Sequence, residues 1–450
     1  MSRIVFFRQI WKAYFVSRLV KLAKKGNSTS FPGLAIEKRY PSLLKNLTQD
    51  FDKIILISGT NGKTTTRAVI NHFYQSQNIS ICSNLGGANL VRGIATSLLL
   101  NRDFFGKPKS KIGIFEVEEA SLPIITKYLR VDTLILTNLF RDQLDAYGEI
   151  DKTLDYFRQS LYNLNFPPKN TLTTSSQNSS QKFHTDLIIN GEDGNLVDLV
   201  GEFGVVAKTF AIEVDNTQKP KYESKFKNKN LDKITAVAKN ISQHKMQTSF
   251  EIHTQDQVEN IQTQLPGTYN IYNILAAYLA TKAIFKEEIK DLITSFKPAF
   301  GRGEKIEFKD QSLSLFLIKN PAGMDQVLNL IKDNFENKIV NLAICINDNI
   351  ADGKDVSWLW DVDIENFVGT QKIDQIYTCG SRGLDMLLRL EYSNLEVEKK
   401  QAKEDFTELL KVIRSSKKDF LVLCNYTAML EFRELLATKI ELKSMNQIGN

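Results

Sequence analysis

Three short, apolar-rich runs frame the first half of the chain. Lys53-Ile54-Ile55-Leu56-Ile57-Ser58 leads into a glycine-rich turn and a long segment with helical spacing. Lys111 to Val117 and Val131 to Thr137 repeat the pattern, each running into polar and acidic residues. Runs this short and this rich in apolar residues fit strands covered on both faces. Strands alternating with helices predict an α/β domain with a mostly parallel sheet. A helix is expected from Tyr269 to Phe285, after Leu265-Pro266-Gly267. The second half repeats the alternation, with strands expected at 339–346, 375–378 and 419–424, as in a Rossmann-like α/β domain.

Between these parts the pattern weakens. Residues 166–185 are rich in Ser, Thr, Asn and Gln and read as a flexible insertion loop. Residues 215–250 are lysine-rich with little periodicity. The expected organisation is a lead-in segment (1–50), a central domain (51–300, divergent over 166–260) and a C-terminal domain (301–450). A length of 450 residues agrees with two or three domains.

Composition changes the picture only modestly. Hydrophobic residues make up 42% and charged residues 24%, ordinary for a globular protein with full cores. The net charge of +6 suits anionic substrates such as phosphates, or an acidic membrane surface. No arginine stripe interleaved with aromatics accompanies it, so nucleic acid is not indicated. Residues 1–25 carry seven basic residues and no acid, with Ile4, Phe7, Trp11, Tyr14, Phe15 and Leu19 between them. Lys12, Arg18 and Lys21 interrupt the run too often for a spanning helix. Two readings stay open: a helix lying on an anionic bilayer, or a basic helix packed on the protein's own first domain. Cys82, Cys345, Cys379 and Cys424 form no CxxC pair, so a reducing cytoplasm is the expected compartment, without a disulfide framework. His72, His184, His244 and His253 show no metal-ligand spacing.

The chemistry concentrates after the first apolar run. Gly59-Thr60-Asn61-Gly62-Lys63-Thr64-Thr65 follows an expected strand and opens an expected helix. Main-chain N–H groups there can cradle a polyphosphate, with Lys63 reaching the β- and γ-phosphates and Thr64 ligating Mg²⁺. Phe115-Glu116-Val117-Glu118-Glu119 ends another expected strand, and alternation puts Glu116 and Glu118 on one face. Carboxylates beside a phosphate loop suit Mg²⁺, which makes Glu116 a candidate metal ligand and catalytic residue. Asp142 and Asp145, three apart, would share one side of a helical turn.

In this order the motifs resemble the Mur ligase family. The short Gly-Thr-Asn-Gly-Lys-Thr loop is the form used by Mur ligases and folylpolyglutamate synthases. Thr137-Asn138 followed by Asp142-Gln143-Leu144-Asp145 and Gly148 is similar to the family's Thr-Asn, Asp-His-Leu-Asp and Gly, with Gln143 where the family has a metal-associated His. Gly267-Thr268-Tyr269-Asn270-Ile271-Tyr272-Asn273 matches Gly-x-x-Asn-x-x-Asn, and Gly301-Arg302-Gly303-Glu304 matches Gly-Arg-x-Glu. The resemblance implies nucleotide contacts for Asn138 and Asn270. It also implies a catalytic, phosphate-reaching role for Arg302. Lys319-Asn320-Pro321-Ala322-Gly323, the 347–361 segment with Asp352-Gly353-Lys354-Asp355, Gly380-Ser381-Arg382-Gly383 and Asn425-Tyr426-Thr427 resemble the MurT branch.

That branch implies an ATP- and Mg²⁺-dependent ligase subunit that amidates the D-glutamate α-carboxylate of lipid II through an acyl phosphate. Ammonia would come from a GatD-like glutaminase in a heterodimer, with Asp355 completing the partner's Cys–His pair and Asp352 and Asp361 as weaker choices. Work would be cytoplasmic, at the inner face of the membrane. MurT proteins commonly insert a four-cysteine zinc ribbon; this chain has no cysteine between Cys82 and Cys345, so no ribbon and no zinc are expected. Two other readings compete: an amino-acid-adding Mur ligase or folylpolyglutamate synthase, which would lack the C-terminal signature, and an inactive scaffold with the same fold.

Overall fold

A computed structural model describes residues 11, 33–39, 41–84, 88–103, 105–139, 150–166, 185–213, 234–244, 247–297, 302–308, 311–335, 339–349, 351–368, 373–395, 397–416 and 418–438. The expectations for the N-terminal basic helix, the 166–185 loop and the Asp142–Asp145 pair fall mainly or wholly outside these residues.

Among the described residues, fourteen strands form two sheets. The first has nine strands: β1 (Lys53–Ser58), β2 (Ile81–Ser83), β3 (Ile112–Glu116), β4 (Thr133–Leu136), β5 (Asp186–Asn190), β6 (Lys208–Ile212), β7 (Ala236–His244), β8 (Gln247–His253) and β9 (Val258–Thr263). Their order is β2-β3-β1-β4-β5-β6-β7-β8-β9. β1 lies between β3 and β4, parallel to both. Alternation along β1 explains its apolar run: Ile54 and Leu56 enter one core and Ile55 and Ile57 the other. The chain leaves β1 toward β2 on one side and later returns to β4 on the other, so the C-terminal end of β1 is a topological switch point, where open α/β sheets bind ligands.

The stretch read as aperiodic is in part strand. β7, β8 and β9 form an antiparallel meander. The alternation hides because the β7–β8 register shifts between Lys239 and Ser242, with Asn240 at a φ of 51°. A bulge of this kind swaps the buried face, so Ala236 and Ala238 cannot be extended by a period of two.

The second sheet holds β10 (Arg302–Phe308), β11 (Gln311–Leu317), β12 (Val340–Cys345), β13 (Ile373–Cys379) and β14 (Phe420–Cys424), ordered β10-β11-β14-β12-β13. Apart from the β10–β11 hairpin it is parallel. At the C-terminal ends of three neighbouring strands Cys379, Cys345 and Cys424 stand abreast, free and buried. The helix Pro321–Phe335, which follows β11, packs against β7 and the helix Thr268–Phe285, and so seats the second sheet's unit on the first. No described helix is long and apolar enough to cross a membrane.

Candidate nucleotide site

β1 ends at Ser58, and the loop to the helix Lys63–Ser76 turns through two glycines with positive φ, Gly59 at 123° and Gly62 at 88°. Both also need the missing Cβ. One on Gly59 would meet Thr137 Oγ1 at 2.3 Å, and one on Gly62 would meet Asn273 Oδ1 at 2.1 Å. The loop between them is pinned from β4. Thr137 Oγ1 donates to the Asn61 carbonyl at 2.7 Å, and Asn138 donates to the same oxygen at 3.0 Å while accepting from Asn61 N–H at 2.8 Å. Asn138 therefore shapes the loop.

β3, adjacent to β1, delivers the acids. Strand pairing sets Glu116 opposite Ile57. Asn84 clamps its peptide, accepting from Glu116 N–H at 3.0 Å and donating to the Glu116 carbonyl at 2.8 Å. The Glu116 carboxylate then accepts from Thr64 Oγ1 at 3.1 Å, and Arg67 Nε lies 3.5 Å from its other oxygen. Two hard oxygen donors side by side at a helix N-terminus fit Mg²⁺, which takes one or two carboxylates and leaves positions for phosphate oxygens.

Lys63 Nζ donates to Gly59 O at 2.6 Å and to Glu119 Oε1 at 2.7 Å, and lies 3.9 Å from Glu118. Burial disfavours the ammonium, but the carboxylates of Glu118 and Glu119 outweigh it and hold the pKa above its ordinary value. Burial raises the Glu119 carboxyl above its ordinary range, with the charge of Lys63 opposing and that of Glu118 adding. Glu119 was missed in the sequence because β3 stops at Glu116 and a 3-10 turn, Glu119–Ser121, breaks the alternation and brings a third acid under the lysine. The signal was the run of three acids in four positions. Thr65 is buried, with a hydroxyl that has no hydrogen-bond partner among the described residues.

Asn270 is fully buried. It donates to Pro266 O at 2.6 Å and accepts from Asn273 at 3.2 Å. Asn273, not Asn270, touches the loop, accepting from Thr66 Oγ1 at 3.4 Å beside Gly62. Arg302 opens β10, and its side chain lies outside the described residues. Asn320, from the second sheet's unit, reaches Asn61 and joins this cluster.

Asp355 stands elsewhere, on the segment after β12. Its carboxylate accepts from Ser357 N–H at 2.8 Å. Upstream, buried Asp352 accepts from the main-chain N–H of Thr427 at 2.9 Å and from the Thr427 hydroxyl, which ties the segment to the head of the helix Tyr426–Ala437. Asp352 is thus engaged in holding the loop that presents Asp355.

Residues 57–187 and 205–281 match the Mur ligase middle domain, and residues 317–429 match the MurT ligase C-terminal domain. The chain is similar to the lipid II isoglutaminyl synthase (glutamine-hydrolyzing) subunit MurT of Streptococcus pneumoniae, at 30% identity over 94% of this chain and 96% of that one. Its likeness to the Staphylococcus aureus protein of the same name is 29% over 86% and 89%. Among solved structures, MurF from Acinetobacter baumannii superposes with a TM-score of 0.64 at 14% identity, covering 89% of this chain and 79% of that chain, a likeness of fold.

Proposed function

This chain belongs to the MurT family of Mur ligases, and from that premise we propose that it is the ligase subunit of a two-subunit lipid II amidating enzyme. It is an ATP-dependent carbon–nitrogen ligase. An oxygen of the D-glutamate α-carboxylate attacks the γ-phosphorus of ATP, and ADP leaves. Ammonia then attacks the acyl-phosphate carbon, phosphate leaves, and the nitrogen gives up a proton to yield the isoglutamine amide. A carboxylate is a poor electrophile, and the acyl phosphate makes its carbon attackable.

Each residue of the site has a part in this. The N–H groups from Gly62 to Thr65, at the N-terminus of the helix, and the Lys63 ammonium hold the phosphates, with Lys63 exchanging Glu119 for phosphate oxygens, while the Thr60 and Asn61 N–H groups are taken by Asn138. Thr64 and Glu116 would hold Mg²⁺, which neutralises charge on the transferring phosphoryl group. Arg302, which opens β10, would supply positive charge to the phosphates. Ammonia comes from a GatD-like glutaminase bound to the second sheet's unit, where Asp355 orients the partner's histidine. The substrate is lipid-linked, so the enzyme works at the inner face of the membrane.

The observation that carries this reading is that the MurT-type segment 317–429 shares one chain with the Gly59–Thr65 loop and its acids, since the C-terminal signature sets this branch apart from amino-acid-adding Mur ligases. The test is to co-purify the chain with its glutaminase, supply lipid II, ATP and glutamine, and examine the product by mass spectrometry. Amidated lipid II with matching ADP release is expected. Incorporation of an amino acid would move the chain to the amino-acid-adding ligases. MgATP binding without turnover would make it a scaffold.

A further inference from the structure

Lys319-Asn320-Pro321 belongs to the signature that resembles the MurT branch. The fold gives it a place. Asn320 stands at the head of the helix Pro321–Phe335, where its side-chain oxygen accepts from Gly323 N–H at 2.8 Å and its carbonyl from Met324 N–H at 2.9 Å. It is buried, at the junction of the two units. The same side chain pairs with Asn61 in the middle of the phosphate loop. Asn320 Nδ2 donates to Asn61 Oδ1 at 3.1 Å, and Asn61 Nδ2 donates back to Asn320 Oδ1 at 3.4 Å.

Helix capping alone does not account for this residue. A cap needs an oxygen, which Ser, Thr or Asp supplies as well. What asparagine adds is a donating amide nitrogen, and that nitrogen goes to Asn61. The Asn61 peptide is already held from the other side by Thr137 and Asn138, so the loop is gripped from both units at one residue. Lys319 acts alongside, its positive charge favouring the ionised form of Glu119, the counterion of Lys63.

We propose that Asn320 is a positioning residue of the nucleotide site. By pairing with Asn61 it fixes the middle of the phosphate loop, so MgATP affinity depends on the second unit being seated on the first. The inference rests on the nucleotide reading of Gly59–Thr65 and goes beyond it by assigning a residue of the other unit to loop geometry. Removing either amide removes both bonds of the pair at once, so the effect belongs to the pair.

The experiment is calorimetric titration of the full-length chain, with its partner subunit where the two co-purify, using MgATP or a non-hydrolysable analogue. Asn320→Ser keeps a capping oxygen but is too short to reach Asn61. Asn320→Asp keeps the cap and the length but loses the donor. Each of these, and Asn61→Ala, is expected to weaken binding about tenfold, the worth of roughly one net hydrogen bond. The Asn61→Ala/Asn320→Ser double variant should bind no worse than the weaker single. The melting temperature of Asn320→Asp without nucleotide should stay near that of the parent, so a loss of affinity in it cannot be laid to misfolding. Parent-like binding by both Asn320 variants, or additive losses in the double, would overturn the inference while leaving the ligase reading intact. A parent chain that binds no MgATP would overturn both.

Discussion

The ammonium of Lys63 lies 2.7 Å from a carboxylate oxygen of Glu119, and both side chains are buried. A γ-phosphate entering the loop must compete with Glu119 for this cation. Glu119→Gln should therefore lower the KM for ATP severalfold. The same change breaks a buried pair, which typically costs about 3 kcal/mol of stability, so the melting temperature should fall. Steady-state kinetics and a thermal melt on one preparation check both directions. A higher KM would mean that Glu119 assists nucleotide binding.

Lys63→Ala removes the charge that faces the phosphates. Loss of one preorganised electrostatic donor typically costs about 100-fold in rate or more, so ADP release should fall at least that far with either glutamine or ammonium as nitrogen source. Equal losses with the two sources place the defect in the ligase half-reaction.

Asp355→Asn should separate the two halves. The segment is tied down by Asp352 and Thr427, so the fold should hold. Ammonium-driven ligation should stay at parent level, while glutamine-driven ligation drops by roughly 100-fold or more through loss of the carboxylate that orients the partner's histidine. Untouched glutamine use would remove Asp355 from that role.

The second unit carries its own acid-sensitive contact. Hydrogen bonds from the Arg389 guanidinium pull Glu365 down from 4.5 to about 2. Its folded value lies below its unfolded one. The contribution to stability is thus complete above about pH 4.5 and fades as pH falls toward 2. Glu365→Gln should give a smaller loss of melting temperature between pH 5 and pH 3 than the parent, measured by circular dichroism. Equal slopes would show that the contact does not contribute.

Much of the fold was readable in advance because its signals are local. The buried strands β1, β3, β4, β12 and β14 are short runs of mostly apolar residues, and the phosphate loop is a compact motif between a strand and a helix. What escaped the sequence depends on geometry that no short window holds. β7 was hidden by a bulge at Asn240, and Glu119 by a turn that ends the strand period at Glu116. Asn273 stood in the recognised motif, but only the close approach of its side chain to Gly62 shows which of the two asparagines meets the loop. Asn84, which fixes the Glu116 peptide, lies 32 residues away and has no motif of its own.

The row of Cys379, Cys345 and Cys424 supplies a native probe. Burial pushes the Cys345 thiol well above its ordinary pKa, and contact with Cys345 together with burial does the same for Cys379. A protonated, enclosed sulfur reacts slowly with alkylating or disulfide reagents. Cys82, buried in the first sheet and pushed up to about 12 by burial, is equally shielded. Peptide-resolved labelling during denaturant titration would thus time the opening of each sheet separately, with no engineered label and no change to the protein's own residues.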